Sequence, residues 1–249
     1  MEKIKILIKN NSLYQKIRFW KYITLKDFFS LEKLLLFKKV YPYTMVSYKR
    51  LSNVYELAKL VEKQKLKGAF VECGVWKGGC IAVMAFVADR MKSGRKIWLF
   101  DSFEGLPEPT KEDGSMAEEY AQNKIGGKLE TIEKCVGHIE YVQNIFFEIL
   151  KIKKENVVIK KGWFQDTLPE AKKEIGPISI LRLDGDWYES TKVCLDNLYD
   201  NVIFGGYIII DDYGHWEGSK KALEEFFTKR NISLNLIKID YTGIYFQKP

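Results

Sequence analysis

Histidine is scarce in this 249-residue chain, which has two copies, His138 and His215. Cysteine is limited to Cys73, Cys80, Cys135 and Cys194, and no two of them form a Cys-x-x-Cys pair. A zinc centre of mixed His and Cys ligands is thereby all but excluded, and any metal must be held by oxygen. Reduced, buried thiols are the expectation for the cysteines. No apolar run approaches the roughly 18–20 residues that span a bilayer. The start, Met1-Glu2-Lys3-Ile4-Lys5, lacks the uninterrupted apolar core of a signal peptide. A cytoplasmic protein without stable membrane insertion is expected. With 46% hydrophobic and 29% charged residues, the chain is also neither disordered nor of low complexity.

Acidic residues are few at one end. Residues 1–50 carry 12 Lys and Arg against 3 Asp and Glu, so the net charge of +7 belongs to that segment and the remainder is slightly acidic. The same stretch holds Tyr14, Phe19, Trp20, Tyr22, Phe28, Phe29 and Phe37. It reads as a basic helical extension over residues 1–48, with aromatics that pack against something else, such as another subunit. A basic segment can also attract lipid or nucleic acid.

From residue 68 onward, β-type runs alternate with helical patterns. The strands are expected at Ala69–Cys73, Lys96–Asp101, Asn156–Lys160, Ile178–Asp184, Tyr207–Asp211, Leu234–Asp240 and Gly243–Gln247. Helical patterns fall at 50–65, 79–91, 166–173, 189–198 and 219–229. Alternation of this kind implies βαβ units and a doubly wound α/β fold with a mostly parallel sheet. Only Tyr241-Thr242-Gly243 separates the last two strands, so they form an antiparallel hairpin. Ligands of such sheets bind beyond the carboxyl ends of the strands, and here those ends carry Glu72, Asp101, Asp184 and Asp211-Asp212. An insertion over residues 106–137 has the position of a lid or substrate loop.

The run Val71-Glu72-Cys73-Gly74-Val75-Trp76-Lys77-Gly78-Gly79 is a strand, a glycine turn and a helix start. Gly74 permits a tight turn and close approach of a ligand. The spacing is not the Gly-x-Gly-x-x-Gly of dinucleotide binders. Asp101, at the end of the second strand, can accept both hydroxyls of a ribose, or cap a helix together with Ser102. Gly162-Trp163 follows the third strand, where the indole can stack on a flat base or pack in the core.

Asp184-Gly185-Asp186 and Asp211-Asp212 end two strands that are expected to be neighbours. Four converging carboxylates repel one another unless a cation is present. Oxygen ligands alone select Mg2+. Such an ion can acidify a substrate hydroxyl, and a carboxylate outside its shell can take the proton. Tyr120 and Lys124 match a Tyr-x-x-x-Lys dehydrogenase pair, but the glycine fingerprint that should precede it is missing.

Six motifs occur together and in order: Tyr43-Thr44-Met45-Val46-Ser47, Val71–Gly79, Phe100-Asp101-Ser102-Phe103-Glu104-Gly105-Leu106-Pro107, Gly162–Pro169, Asp184–Thr191 and Asp211-Asp212-Tyr213-Gly214. In these, residues 40–230 resemble the macrocin O-methyltransferase family, which includes sugar O-methyltransferases of macrolide and aminocoumarin antibiotic pathways. The resemblance implies a class I S-adenosylmethionine fold, Mg2+-dependent methylation of a sugar hydroxyl and homo-oligomers. It implies Asp184, Asp211 and Asp212 as metal ligands, and Asp186 as general base with Asp184 as the rival. Glu72, Gly74, Asp101, Ser102, Gly162, Trp163 and Asp184 would line the cofactor site. Thr44, Met45 and Ser47 would close over it. The acceptor is a sugar, nucleotide sugar or glycoside. Two other readings stand beside this one. A nicotinamide-dependent sugar oxidoreductase would use the glycine turn and Asp101 equally well, but leaves the Asp cluster without a role. A binding module would rely on the basic N-terminus.

Overall fold

Branched and aromatic residues fill the central strands because both faces of those strands are covered. In the structure, a computed structural model that describes residues 21–23, 27 and 29–249, the strands are β1 (Ala69–Cys73), β2 (Ile97–Asp101), β3 (Val157–Lys161), β4 (Ile178–Leu183), β5 (Val202–Ile210), β6 (Ile237–Lys238) and β7 (Ile244–Gln247). They form one sheet in the order β3-β2-β1-β4-β5-β7-β6. The first five are parallel, and β7 pairs antiparallel with both β5 and β6. The doubly wound sheet and its terminal hairpin are as the sequence implies.

Alternation along the strands divides the core. Phe70, Leu99, Ile180 and Ile209 face a cluster with α1 (Leu31–Val40), α2 (Tyr48–Lys63) and α3 (Gly79–Arg90). Val71, Phe100, Leu181 and Ile208 face the opposite cluster, with α6 (Phe164–Ile175), α7 (Tyr188–Leu198) and α8 (Glu217–Lys229). Ser47 starts α2 by accepting a bond from the Arg50 amide at 3.2 Å. Cys73, Cys80 and Cys194 are buried free thiols and Cys135 is half-buried.

Two strands differ from expectation. β5 begins at Val202 rather than Tyr207, because Gly205 at φ 76° produces a bulge that lets the chain pair before it. β6 shrinks to two exposed residues. The Asp240 carboxylate accepts from the amides of Thr242 and Gly243, closing a turn and ending the ladder early.

The insertion is not a bare loop. It contains α4 (Gly114–Tyr120), and its Leu106, Ala117, Ala121 and Ile132 form a small core with Trp187 and Trp216. The Trp187 indole donates to the Pro107 carbonyl at 3.0 Å, and the Tyr188 amide donates to Asp113 at 2.6 Å. Tyr120 packs on Trp216 as part of this contact, which accounts for it without any pairing to Lys124. After the insertion come α5 (Ile139–Gln143) and a π-helical stretch, Asn144–Ile149. Much of the basic extension, including Tyr14, Phe19, Trp20 and Phe28, lies outside the described residues.

Candidate active site

Parallel strands deliver their carboxyl ends to one edge of the sheet, and the cleft there has a volume of about 270 Å3. Gly74, Asp101, Ser102, Gly162, Trp163, Asp184, Asp186, Asp211 and Asp212 all line it, together with Met45. Thr44 and Ser47 line an adjoining cavity instead. Glu72 lies beneath the floor and is 1% exposed.

One wall is the glycine turn. Gly74 has φ 86°, and a Cβ there would overlap the Asp184 carbonyl oxygen. The turn is held by Asp101, which accepts from the Val75 and Trp76 amides at 2.8 and 2.9 Å and from the Phe103 amide at 2.7 Å. Those bonds use most of the carboxylate's acceptor capacity, so Asp101 shapes the wall as well as facing the cleft. Burial pushes its pKa up to about 6 against the pull of those amides. Gly74→Ala should therefore destabilise the fold by about 2 kcal/mol or more, which thermal unfolding checks.

The other wall is acidic. Ligand atoms of Asp184, Asp186 and Asp212 lie within 4.8 Å of one another. All three carboxyls are pushed up, first by burial and then by the negative neighbours, Asp186 to about 8. An all-carboxylate donor set of this kind fits Mg2+. Asp186 sits at φ 59°, a strained conformation for a residue with a side chain. Its Oδ1 accepts from the Trp216 indole at 2.8 Å, and its amide donates to Asp212 at 3.2 Å.

Asp211 is placed differently from its three acidic neighbours. One of its oxygens is bound by Arg182 and the other by Arg50. Arg182, 1% exposed, also binds Glu72 and Asp184, the latter at 2.9 Å. Burial raises the Glu72 pKa to about 8 despite this cation. Arg50 reaches from α2 to Asp240 of the terminal hairpin at 3.0 Å. Neither arginine was among the residues that the sequence pattern singles out. Arg182 had a signal, a lone cation in the apolar run Ile178–Leu183. Arg50 had none, because it lies 161 residues from Asp211.

A parallel sheet in this strand order, with a glycine turn and an acidic cluster at one edge, defines a class I methyltransferase fold. The family model for macrocin O-methyltransferase (TylF) matches residues 38–248. The chain is 37% identical over 207 residues to the demethyldecarbamoylnovobiocin O-methyltransferase of Streptomyces niveus, covering 83% of this chain and 76% of that protein. It is 30% identical to the mycinamicin III 3''-O-methyltransferase of Micromonospora griseorubida, with 83% and 78% covered. The solved structure of the O-methyltransferase NovP matches with a TM-score of 0.70 at 36% identity, covering 83% of this chain and 82% of that one. The chain belongs to the macrocin O-methyltransferase family and is an S-adenosylmethionine-dependent O-methyltransferase.

Proposed function

We propose that the enzyme transfers the methyl group of S-adenosylmethionine to a sugar hydroxyl with the help of Mg2+. The observation that carries this reading is the meeting, in one cleft, of the Gly74–Asp101 wall and the Asp184, Asp186 and Asp212 carboxylates. Two relatives named for glycosylated acceptors support the sugar. One is mycinamicin III 3''-O-methyltransferase, and the other methylates a dimethoxyrhamnosyl tetracenomycin in Streptomyces olivaceus.

The cofactor lies along Gly74, Asp101, Ser102, Gly162 and Trp163, with Met45 closing the cleft from the N-terminal side. Asp184 and Asp212 would hold the ion, with Asp211, which lines the same cleft, as the third carboxylate. A bound Mg2+ would lower the pKa of the sugar hydroxyl and fix its oxygen. Asp186, anchored by Trp216 through one oxygen, takes the hydroxyl proton on the other. The chain's part is otherwise positioning: donor and acceptor are aligned for in-line displacement at the sulfonium methyl, and the packed insertion shields the reaction from water.

No helix among the described residues is long and apolar enough to cross a membrane. Phe29, Leu31 and Leu35 are exposed on and beside α1, which supports assembly into a homo-oligomer through that face.

Methyl transfer from labelled S-adenosylmethionine to a panel of sugars, nucleotide sugars and oligosaccharides tests the reading. Turnover should vanish in EDTA and return with Mg2+. Turnover that survives EDTA would remove the ion from the scheme. Calorimetry should show binding of S-adenosylhomocysteine and none of NAD, and the reverse would favour the oxidoreductase.

A further inference from the structure

A second cavity of about 720 Å3 adjoins the catalytic cleft. Met45, Val46, Arg50 and Tyr241 line both, so an acceptor with its sugar in the cleft can extend into the neighbouring space.

The charge at the Tyr22 wall of that space is unbalanced. Lys49 lines the cavity with its ammonium 4.9 Å from the centroid of the Tyr22 ring, and the Lys21 ammonium, from outside the lining, lies 4.7 Å from the same centroid. Neither lysine has a carboxylate partner among the described residues. The acid in the cavity wall, Asp240, is already satisfied. It accepts from Arg50 at 3.0 Å, Ser47 at 2.7 Å, Thr242 at 3.1 Å and Gly243 at 3.0 Å. The Arg50 charge is likewise spent, on Asp240 and Asp211. Two like charges converging on one ring therefore remain open to an outside anion. The first turn of α2 enters the same cavity through Ser47, Lys49 and Arg50, adding the positive end of a 16-residue helix. Tyr22 and Tyr241 offer aromatic faces beside these charges.

A neutral glycoside has no use for two unpaired ammonium groups. A diphosphate carries charge enough for both. We propose that the acceptor is a sugar carried on a diphosphate, with the sugar at the carboxylate cluster and the diphosphate on Lys21 and Lys49. This rests on the sugar-methylation reading above and narrows its substrate class. The carrier is a nucleoside or a polyprenyl lipid, which share this chemistry.

The test is calorimetric titration of the S-adenosylhomocysteine-loaded protein with UDP, GDP, dTDP, CDP and citronellyl diphosphate, with methyl rhamnoside as the neutral comparison. At least one diphosphate should bind, more weakly as salt is raised. Its affinity should fall about tenfold or more in the Lys21→Gln/Lys49→Gln double variant, with S-adenosylhomocysteine affinity unchanged. Binding of a nucleoside diphosphate identifies a nucleotide sugar, and binding of citronellyl diphosphate alone identifies a lipid carrier. If no diphosphate binds, or the double variant binds it as well as the native protein does, the proposal is overturned. Failure of S-adenosylhomocysteine itself to bind would instead count against the methyl-transfer reading.

Discussion

Asp186→Asn is expected to lower kcat for methyl transfer by about 100- to 10,000-fold, the range for loss of a positioned general base, while Mg2+ binding stays within a few-fold of native. Asp184→Asn and Asp212→Asn should lose both activity and the ion, with Mg2+ affinity reduced about 100-fold or more as a charged oxygen ligand disappears. The distinction comes from how the side chains are held. Asp186 is fixed by the Trp216 indole on Oδ1 and by its own left-handed backbone, so it has one oxygen free for a proton. Asp184 and Asp212 extend from the ends of adjacent parallel strands into the same space. Titration with Mn2+ followed by electron paramagnetic resonance, beside steady-state kinetics, separates the two effects. Loss of the ion in Asp186→Asn as severe as in Asp184→Asn would make Asp186 a ligand and leave the base unassigned.

Arg182→Met is expected to cost about 3–5 kcal/mol, the penalty for leaving buried charges without their partner. Arg182 lies at the centre of Glu72, Asp184 and Asp211, and no other cation among the described residues is bonded to Glu72. For a chain of this size the loss corresponds to a fall in melting temperature of about 6–20 °C. The pH dependence has a definite sign. A carboxyl whose folded pKa lies above its unfolded value destabilises the fold as pH rises through that range. Glu72 already behaves so, at about 8, and without Arg182 it is pushed higher. Lowering the pH from 8 to 5 neutralises such groups in the folded state and should return part of the lost stability to the variant. Urea unfolding of native and variant proteins across that range is the measurement. A difference below about 1 kcal/mol at pH 8 would show that the network has little energetic weight.

The strand ends, the glycine turn and the edge hairpin were legible because each depends on local pattern. Runs of branched residues mark strands covered on both faces. Parallel pairing then brings every carboxyl end to one edge, which put Gly74, Asp101, Gly162, Asp184 and Asp212 into a single cleft. The early start of β5 was not legible, since it depends on Gly205 adopting φ 76°. The early end of β6 depends on Asp240 bonding to backbone amides rather than facing solvent.

The roles of the four acids were decided at a different level. In the linear pattern, Asp211 and Asp212 are equivalent neighbours. In the fold they differ in their partners: Asp211 is held by two guanidinium groups, while Asp212 clusters with Asp184 and Asp186. By itself the sequence determined the doubly wound sheet, the carboxylate edge and the family, because strand and turn chemistry is read from residues a few positions apart. Tertiary structure alone decided which acids cluster together, that Arg50 and Arg182 hold Asp211 between them, and that Lys21 and Lys49 meet at one ring. Each of those contacts but one joins residues far apart in the chain, and packing determines which distant charges end up side by side.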